Sequence, residues 1–439
     1  MIKALLAFLL IFGLNDYSNS QSYYAIEIGN GGHALVTRDS EKQVLTATLL
    51  DFCEYQETLK PNFGPLLQDP IVSALHAIER IKEFDEGRYL YLQREIKSFL
   101  EEAEYTKTTL DRTSDHGTLL QTCKEGIEQA AIQKQDKHVI PYFFIDQNIW
   151  EMMPPEHQAG LVLHEVLFKD ALRLDPSLKD SRDVRYFNAM LSANEFANEN
   201  FDEGRYRDFL TYEIKMKKTI VDKGIAFLED TVGTTEDGTI TSGTVYANVI
   251  VPHTMGHQET MVPIYQLTPI TFREDGTIDS AFINNHEELK VPLTQKCSYS
   301  LSYSTSSGAK SQAVRFDANG YLTEYHLPAG GTANLKVMTS DGRCAAFAVK
   351  SRLYNGYEKL RFTNGIVSSA FLNGSQPLPV FGSQVLFWGP ITFHPTGFVA
   401  SGRLAEDFFL KAAGELSVRK FKKGTKLVFN ALGEVAKAQ

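Results

Sequence analysis

The spacing of apolar residues changes at about residue 230 of this 439-residue chain. In the first part, apolar side chains recur every three or four residues, as on one face of a helix. This spacing predicts helices over 70–110, from 154 through His164, from Asp180 onward, and over about 205–228. Short strands are predicted at 23–27, 34–37, 44–50 and 137–145. We therefore expect residues 21–230 to form a mostly helical domain.

After residue 230, apolar and polar residues alternate and glycine recurs between the alternating segments. A unit with an aliphatic residue, a polar residue, a Phe and then a Gly three or four residues later occurs five times. The Phe and Gly positions are Phe272 and Gly276, Phe316 and Gly320, Phe362 and Gly365, Phe393 and Gly397, and Phe429 and Gly433. A weaker copy surrounds Gly238. Alternation predicts a strand, and glycine permits the positive φ of a tight turn, so each unit is predicted to be a β-hairpin.

A single hairpin cannot bury its own apolar face, so the units are expected to pack side by side, as in repeat arrays. The separations between successive Phe residues vary and leave room for extra strands or loops. The predicted fold class is therefore α+β, with an all-β hairpin-repeat domain over 231–439. The units resemble the short hairpin repeats called MORN or MORN-like, and this resemblance implies binding of a membrane or of a partner.

The first 20 residues have the pattern of a secretory signal peptide. Lys3 precedes an apolar run at 4–14, and Ser18 and Ser20 supply small residues for cleavage before Gln21. The run is too short to span a bilayer, and no later segment has 18 apolar residues. We expect a periplasmic or extracellular protein without a transmembrane segment in the mature chain.

Four cysteines, Cys53, Cys123, Cys297 and Cys344, are compatible with an oxidising compartment. Pairing of Cys53 with Cys123 and of Cys297 with Cys344 respects the two predicted domains, but four cysteines allow three pairings and free thiols are an alternative. The spacing contains no CxxC motif of a cysteine zinc site. The formal net charge of −10 argues against nucleic acid as a partner, because such partners require a basic surface.

One hexapeptide occurs twice, since residues 84–89 and 201–206 both read Phe-Asp-Glu-Gly-Arg-Tyr. Both copies precede a segment with helical spacing, and acidic residues favour the first turn of a helix. We predict a duplicated helix-start element with a structural role.

The only constellation that indicates catalysis is His164 followed by Glu165. The active-site helix of a zinc peptidase has two histidines four residues apart that bind one zinc ion, with a glutamate between them that activates water. The second histidine position here is Phe168, which cannot bind zinc. His164 is therefore a candidate metal ligand and Glu165 a candidate general base of an incomplete site.

The alternative for these residues is a structural cluster of His164, Glu165, Asp180 and Arg185. On a helix, His164 and Glu165 lie among apolar neighbours, and a buried carboxylate needs a partner. A bidentate pair between Arg185 and Glu165, joining two helices, is the predicted arrangement.

Residues 29–215 resemble a group of uncharacterised secreted proteins from predatory bacteria. The resemblance is carried by the segments 29–32, 49–52, 128–133, 149–150, 159–165 and 180–192. The resemblance implies a zincin-like domain that has kept the His-Glu pair and the later segment with Arg185. It implies a secreted location and a fold, but no activity.

Two functions from different classes follow. The first is a secreted or periplasmic non-enzymatic protein, associated with the envelope, whose β-repeat domain binds a protein or an envelope component without any cofactor. The alternative is a zinc-dependent, peptidase-like hydrolase that uses His164 and Glu165.

Overall fold

The computed structural model describes residues 27–28, 32–64, 69–110, 123, 125–134, 142–178, 180–198, 201–284, 287–294, 297–301, 303–304, 311–338, 344–353, 357–380, 382–415 and 417–439. The predicted signal peptide lies outside these residues. The chain divides into two compact units: unit 1 contains residues up to 77 and 94–195, and unit 2 contains 78–93 and 196–439. The boundary thus falls earlier than the predicted residue 230, and unit 2 includes two short helical segments.

Unit 1 combines helices with two small sheets. Its helices are α1 (Leu50–Tyr55), α2 (Pro70–Ile78), the second half of α3 (Glu86–Glu102), α4 (Gln147–Met152), α5 (Pro155–Leu174) and α6 (Arg182–Ala193). Its strands are β1 (Glu27–Ile28), β2 (His33–Arg38), β3 (Val44–Leu49), β4 (Ala103–Thr106), β5 (Ile127–Gln129), β6 (Ala131–Lys134) and β7 (Phe143–Asp146). One sheet has the order β1-β6-β7-β4, in which β4 and β7 are parallel, and the other has the order β3-β2-β5.

Helix α5 is the central element of unit 1. Pro154 and Pro155 begin it, where a missing N–H donor has no cost because the first turn lacks acceptors. Nearly every residue from Ala159 to Leu172 is buried, as expected of a helix covered on most sides. Gly160 allows a close neighbour, because a Cβ there would lie 2.4 Å from Cζ of Phe52 in α1.

Two predicted helices are wrong in extent. The segment 70–110 is interrupted: α2 ends at Ile78, a 3₁₀ turn covers Glu79–Ile81, and α3 begins at Glu86 and gives way to β4 at Ala103. The segment 205–228 contains only α7 (Glu203–Asp208) and a π turn (Phe209–Glu213), followed by the hairpin of β8 (Thr219–Asp222) and β9 (Ile225–Leu228). Lys223 and Gly224 both have positive φ, which produces a two-residue hairpin turn that helical periodicity does not reveal.

The duplicated hexapeptide starts a helix in both copies, as predicted, and both copies lie in unit 2. Asp85 accepts a hydrogen bond from the backbone N–H of Arg88 at the start of α3, and Asp202 does the same for Arg205 in α7. The ring centroids of Phe84 and Tyr206 lie 5.5 Å apart, so the two copies pack against each other.

A twelve-stranded antiparallel meander forms the framework of unit 2, in the order β10-β11-β14-β15-β19-β20-β23-β24-β26-β27-β30-β31. Its strands are β10 (Gly233–Thr234), β11 (Ile240–Thr244), β14 (Pro269–Phe272), β15 (Ile278–Asn284), β19 (Ser311–Phe316), β20 (Leu322–Pro328), β23 (Tyr357–Thr363), β24 (Ile366–Phe371), β26 (Ser383–Phe393), β27 (Val399–Leu404), β30 (Lys426–Phe429) and β31 (Val435–Ala438).

The five repeats are the five hairpins from β14–β15 to β30–β31, so the hairpin prediction is confirmed. Each repeat ends its first strand at or next to the Phe, and the five turn glycines have positive φ between 76° and 92°. The weaker copy at Gly238 is the β10–β11 hairpin. Gly320 has a second constraint, because a Cβ there would lie 1.8 Å from the backbone oxygen of Thr254.

The extra lengths between repeats contain further strands, as the variable spacing predicts. They are β12 (Val249–Met255), β13 (Gln258–Ile264), β16 (Leu289–Thr294), β17 (Cys297–Leu301), β18 (Tyr303–Ser304), β21 (Thr332–Met338), β22 (Cys344–Lys350), β25 (Gln376–Val380), β28 (Phe408–Lys411) and β29 (Val418–Phe421). Buried side chains from these strands, such as Val262, Leu335 and Phe347, join the meander in one hydrophobic core.

Cys53 and Cys123 form a disulfide with a Cα–Cα distance of 6.1 Å, which confirms the first predicted pair. Cys344 is also disulfide-bonded. The side chain of Cys297 lies outside the described part of the chain, so the second pair stays a prediction. Among the helices of the described ranges, none combines the length and the hydrophobicity that crossing a bilayer requires.

Candidate functional site

A buried polar cluster in unit 1 contains both residues of the His-Glu pair. His164 and Glu165 are 0% exposed in the middle of α5. The cluster also contains Asp51 and Glu54 of α1, Gln133 of β6, and Arg185 and Asn188 of α6, each of which is at most 7% exposed. Ionised groups at such depth are costly unless they are paired, so their partners determine what the cluster can do.

His164 pairs with a carboxylate that the sequence did not indicate. Its Nδ1 lies 2.9 Å from Oδ2 of Asp51, and Nδ2 of Asn188 donates to the same oxygen at 2.7 Å. Burial opposes charge on both residues, but their mutual attraction and these hydrogen bonds dominate: the pKa of Asp51 is lowered and the pKa of His164 is raised. Both shifts favour the charged forms of the two side chains.

The other ring nitrogen of His164, Nε2, differs from Nδ1 in its hydrogen bonding. Among the described residues, Nε2 of His164 has no hydrogen-bond partner, and the same is true of Oδ1 of Asp51. A metal-ligating histidine commonly donates one ring N–H to a carboxylate and binds metal through the other nitrogen, so the Asp51 pair gives His164 the orientation of a ligand.

Glu165 is hydrogen-bonded within the protein through both carboxylate oxygens. Oε1 accepts from the backbone N–H of Gly32, and Oε2 accepts from Nε2 of Gln133 at 2.8 Å. Burial is the main influence on this carboxyl and raises its pKa, although His164 and the two donors act in the opposite direction. The N–H of Gly32 reaches Glu165 because glycine fits against α5, where a Cβ would lie 2.1 Å from Cδ1 of Leu161.

The predicted pair between Arg185 and Glu165 is wrong. Nε of Arg185 donates to Oε2 of Glu54 at 2.7 Å, and its Nη1 donates to Oγ of Ser181 at 2.9 Å. Glu54 provides a buried acceptor on the facing helix α1, whereas the oxygens of Glu165 are directed at the strands.

Asp180 lies outside the buried cluster, so its inclusion is also wrong. It is partly exposed and accepts a hydrogen bond from the backbone N–H of Arg182 at 3.2 Å, at the start of α6. This exposed local bond satisfies one of the unpaired N–H groups at the start of the helix and does not involve the buried residues.

The sequence contains a signal for the missed partners. Asp51 and Glu54 are three residues apart in α1, and Arg185 and Asn188 are three residues apart in α6. Glu54 bonds Arg185 while Asp51 bonds Asn188, so the two helices match polar pairs in antiparallel order. Two carboxylates within an otherwise apolar hexapeptide indicate burial with partners, although the partners themselves are known only once the helices are packed.

Among the described residues, the cluster provides fewer ligands than a catalytic zinc ion takes. Such an ion normally takes three protein ligands and keeps one position open to water. Within the described ranges, no group of three or more His, Cys, Asp or Glu side chains is placed to hold a metal ion. Phe168, at the position of the second histidine, is 1% exposed, and its ring centroid lies 6.2 Å from that of His164. In the described part of unit 1, Nε2 of His164 is the one atom of the His-Glu pair with the orientation of a ligand, and it is buried.

The exposed face of the meander is the second candidate. One row of residues in cross-strand register crosses eleven strands: Ser242, Thr271, Ser280, Arg315, Glu324, Arg361, Ser369, Thr392, Ser401, Val428 and Lys437. The hydroxyls of Thr271 and Ser280 lie 2.7 Å apart, as do those of Thr392 and Ser401. Ten of these eleven residues are polar, as is usual on the solvent-facing side of an antiparallel sheet, and we call the eleven residues the outer row.

Comparison with known proteins gives no relative on which to base a function. No protein family model matches the chain, and no curated protein and no solved structure matches it either.

Proposed function

We propose that this chain is a non-enzymatic binding protein of the periplasm or cell surface, in which the hairpin-repeat sheet presents the surface for a protein or an envelope component. In this proposal unit 1 is a zincin-like domain that has lost its metal site, and the repeats are MORN-like hairpins. The His-Glu pair then serves to hold α5 to its neighbours.

The burial and the hydrogen bonds of Glu165 are the main support for this proposal. A general base must reach a water molecule or a substrate proton within hydrogen-bonding distance. The carboxylate of Glu165 is 0% exposed, and both its oxygens accept hydrogen bonds from Gly32 and Gln133. Activation of water would require both bonds to break and the strands to move away from α5.

The alternative, a zinc-dependent hydrolase, is favoured by one observation. Asp51 orients His164 as it would orient a ligand, and Nε2 of His164 has no partner among the described residues. This alternative requires further metal ligands and an opening of the cluster. Among the described residues, no group of three or more His, Cys, Asp or Glu side chains is placed to hold a metal ion.

The deciding experiment is a metal analysis of untagged protein comprising residues 21–439. We expect no stoichiometric zinc after purification in the presence of added zinc, by elemental mass spectrometry. His164→Ala removes the nitrogen that Asp51 orients, and His157→Ala is the matched control because His157 lies on the same helix and bonds the N–H of Leu49.

One zinc per chain that is lost in His164→Ala and kept in His157→Ala would overturn the proposal in favour of the hydrolase. Metal-free parent protein that binds a washed envelope fraction in sedimentation assays is the expected result. Metal-free protein that fails to bind that fraction would contradict the proposed role of the repeat sheet.

A further inference from the structure

The part of the meander from β19 to β31 exposes mainly cations, although the whole protein is acidic. The chain has 54 acidic and 44 basic residues. On the meander from β19 to β31, the exposed cations are Arg315, Lys359, Arg361, Arg403, Lys426 and Lys437. The acidic residues of these strands are Glu324, which is partly exposed, and Glu358, which is buried. Concentration of cations on one face of an acidic protein produces a local positive field that attracts anions.

The cations are interleaved with hydroxyl groups. In the outer row, Arg315, Glu324 and Arg361 occupy adjacent strands, and Ser280 and Ser369 follow on either side. Neighbouring strands are about 4.8 Å apart, so the two arginines are separated by roughly 10 Å. Such a surface offers charged and neutral hydrogen-bonding groups at regular intervals.

An open cleft of about 720 Å³ lies at Arg361. Its other lining residues are Arg352, Leu353, Glu358, Lys359 and Ser369. Nε of Arg352 is held by Oε1 of Glu358 at 2.7 Å, and Lys359 contacts Glu324 at 3.1 Å.

Among the described residues, Arg361 has no ion-pair partner within 4.0 Å, so its guanidinium is available to a ligand. A guanidinium, an ammonium and a hydroxyl around one cleft are the groups that bind a carboxylate or a phosphate.

Aromatic rings lie on the same face. Trp388 is 43% exposed, its Nε1 donates to the backbone oxygen of Leu404 at 3.0 Å, and the guanidinium of Arg403 lies 5.8 Å from its ring. Phe371 is flanked by Lys350 and Arg352, at 5.7 and 5.9 Å from its ring centroid. A fixed ring offers an apolar surface for the C–H face of a sugar.

We propose that the cleft at Arg361 and the adjoining outer row bind an anionic polysaccharide, whose sugars carry carboxylate or phosphate groups. This inference rests on the proposed function and specifies the class of partner that the repeat sheet binds. A chain of repeating anionic sugars matches a surface of repeating cations and hydroxyls, and flat aromatic rings match sugar faces. The exposed row has hydroxyls and charges where a lipid surface would require apolar anchors.

The test is binding of the protein comprising residues 21–439 to immobilised polygalacturonate, poly(glycerol phosphate) and neutral dextran, at ionic strength of about 0.15 M. We expect binding to one or both anionic polymers and none to dextran; the preferred polymer identifies carboxylate or phosphate as the recognised group. Lys359→Ala/Arg361→Ala should weaken binding about tenfold or more, as loss of charge-assisted hydrogen bonds implies.

The matched control is Lys422→Ala/Lys423→Ala, which removes the same charge from exposed residues in the turn between β29 and β30. We expect this variant to bind as the parent does, and Trp388→Ala to bind more weakly with an unchanged circular dichroism spectrum. Equal losses in the two double variants, equal binding to dextran, or binding to anionic vesicles without binding to either polymer would overturn the inference. If the protein binds the envelope fraction but neither polymer, the inference of a polysaccharide partner is refuted and the proposed function stands. Stoichiometric zinc at His164 would instead refute the proposed function.

Discussion

Asp85 and Asp202 occupy the same position in two identical hexapeptides, and we predict that their replacement by alanine has very different effects. Both carboxylates accept the backbone N–H three residues later, at the start of a helix. Asp85 is 1% exposed and forms an ion pair with Arg88, in which Oδ2 and Nη1 are 2.7 Å apart. Asp202 is exposed.

The magnitudes follow from this difference in burial. Loss of an exposed helix cap costs about 1 kcal/mol of unfolding free energy, which is the expected effect of Asp202→Ala. Asp85→Ala removes a cap of the same kind and also breaks the buried ion pair with Arg88, and breaking such a pair costs roughly 3–5 kcal/mol. Asp85 additionally accepts hydrogen bonds from the hydroxyls of Thr219 and Tyr206. We therefore expect the two variants to differ by roughly 3–5 kcal/mol.

The assay uses the distribution of the two tryptophans. Trp150 lies in unit 1 and Trp388 in unit 2, so a Trp150→Phe background reports unit 2, which contains both aspartates. Urea unfolding followed by tryptophan fluorescence then gives the free energy of unfolding of each variant.

The double variant Asp85→Ala/Arg88→Met separates the cap from the ion pair. It should regain part of the stability lost in Asp85→Ala, because the buried cation is removed with its partner. Equal losses for the two single alanine variants, or a larger loss for Asp202→Ala, would refute the argument from burial.

Three further predictions concern unit 1. Arg185→Ala should lower the unfolding free energy of unit 1 by roughly 3–5 kcal/mol, because it breaks the buried ion pair with Glu54. Replacement of the exposed Arg182 by alanine should change it by less than about 0.5 kcal/mol, and similar values for the two variants in urea unfolding would contradict the argument. Burial raises the pKa of Glu165, so the folded protein binds a proton at this carboxyl more tightly than the unfolded chain does. The free energy of unfolding therefore falls as the pH rises through the folded pKa of Glu165. Glu165→Gln should therefore gain stability relative to the parent as the pH rises above the ordinary glutamate pKa of 4.5, and a constant difference would count against it. Cys53→Ser/Cys123→Ser should cost roughly 2–4 kcal/mol, since the disulfide joins residues 70 apart, and an unchanged urea midpoint would exclude a stabilising bond.

The predictability of the fold differed from one part of unit 2 to another. The repeats of unit 2 were predictable because each Phe and Gly acts within a few residues: the alternation defines a strand, and the glycine allows the turn. The helix predicted over 205–228 failed because the apolar residues of β8 and β9 are also compatible with helical spacing. The turn at Lys223 and Gly224 decides between the two structures.

In the buried cluster, the sequence indicated which residues are buried but not which residues they contact. The apolar neighbours of His164 and Glu165 imply burial on any helix, and both are 0% exposed. The choice of Glu54 over Glu165 as the partner of Arg185 depends on the position of α1 against α6, which is 131 residues away along the chain. A local sequence pattern cannot specify a contact between residues so far apart along the chain.

The sequence by itself determined the hairpins, the start of α5 and α6, and the burial of the His-Glu pair, because these depend on periodicity, turn chemistry and capping within about ten residues. Only the tertiary structure decided the pairing of His164 with Asp51, the hydrogen bonds of Gly32 and Gln133 to Glu165, and the alignment of eleven strands into the outer row. These contacts join residues distant in sequence, and packing of whole elements selects them from many electrostatically acceptable combinations.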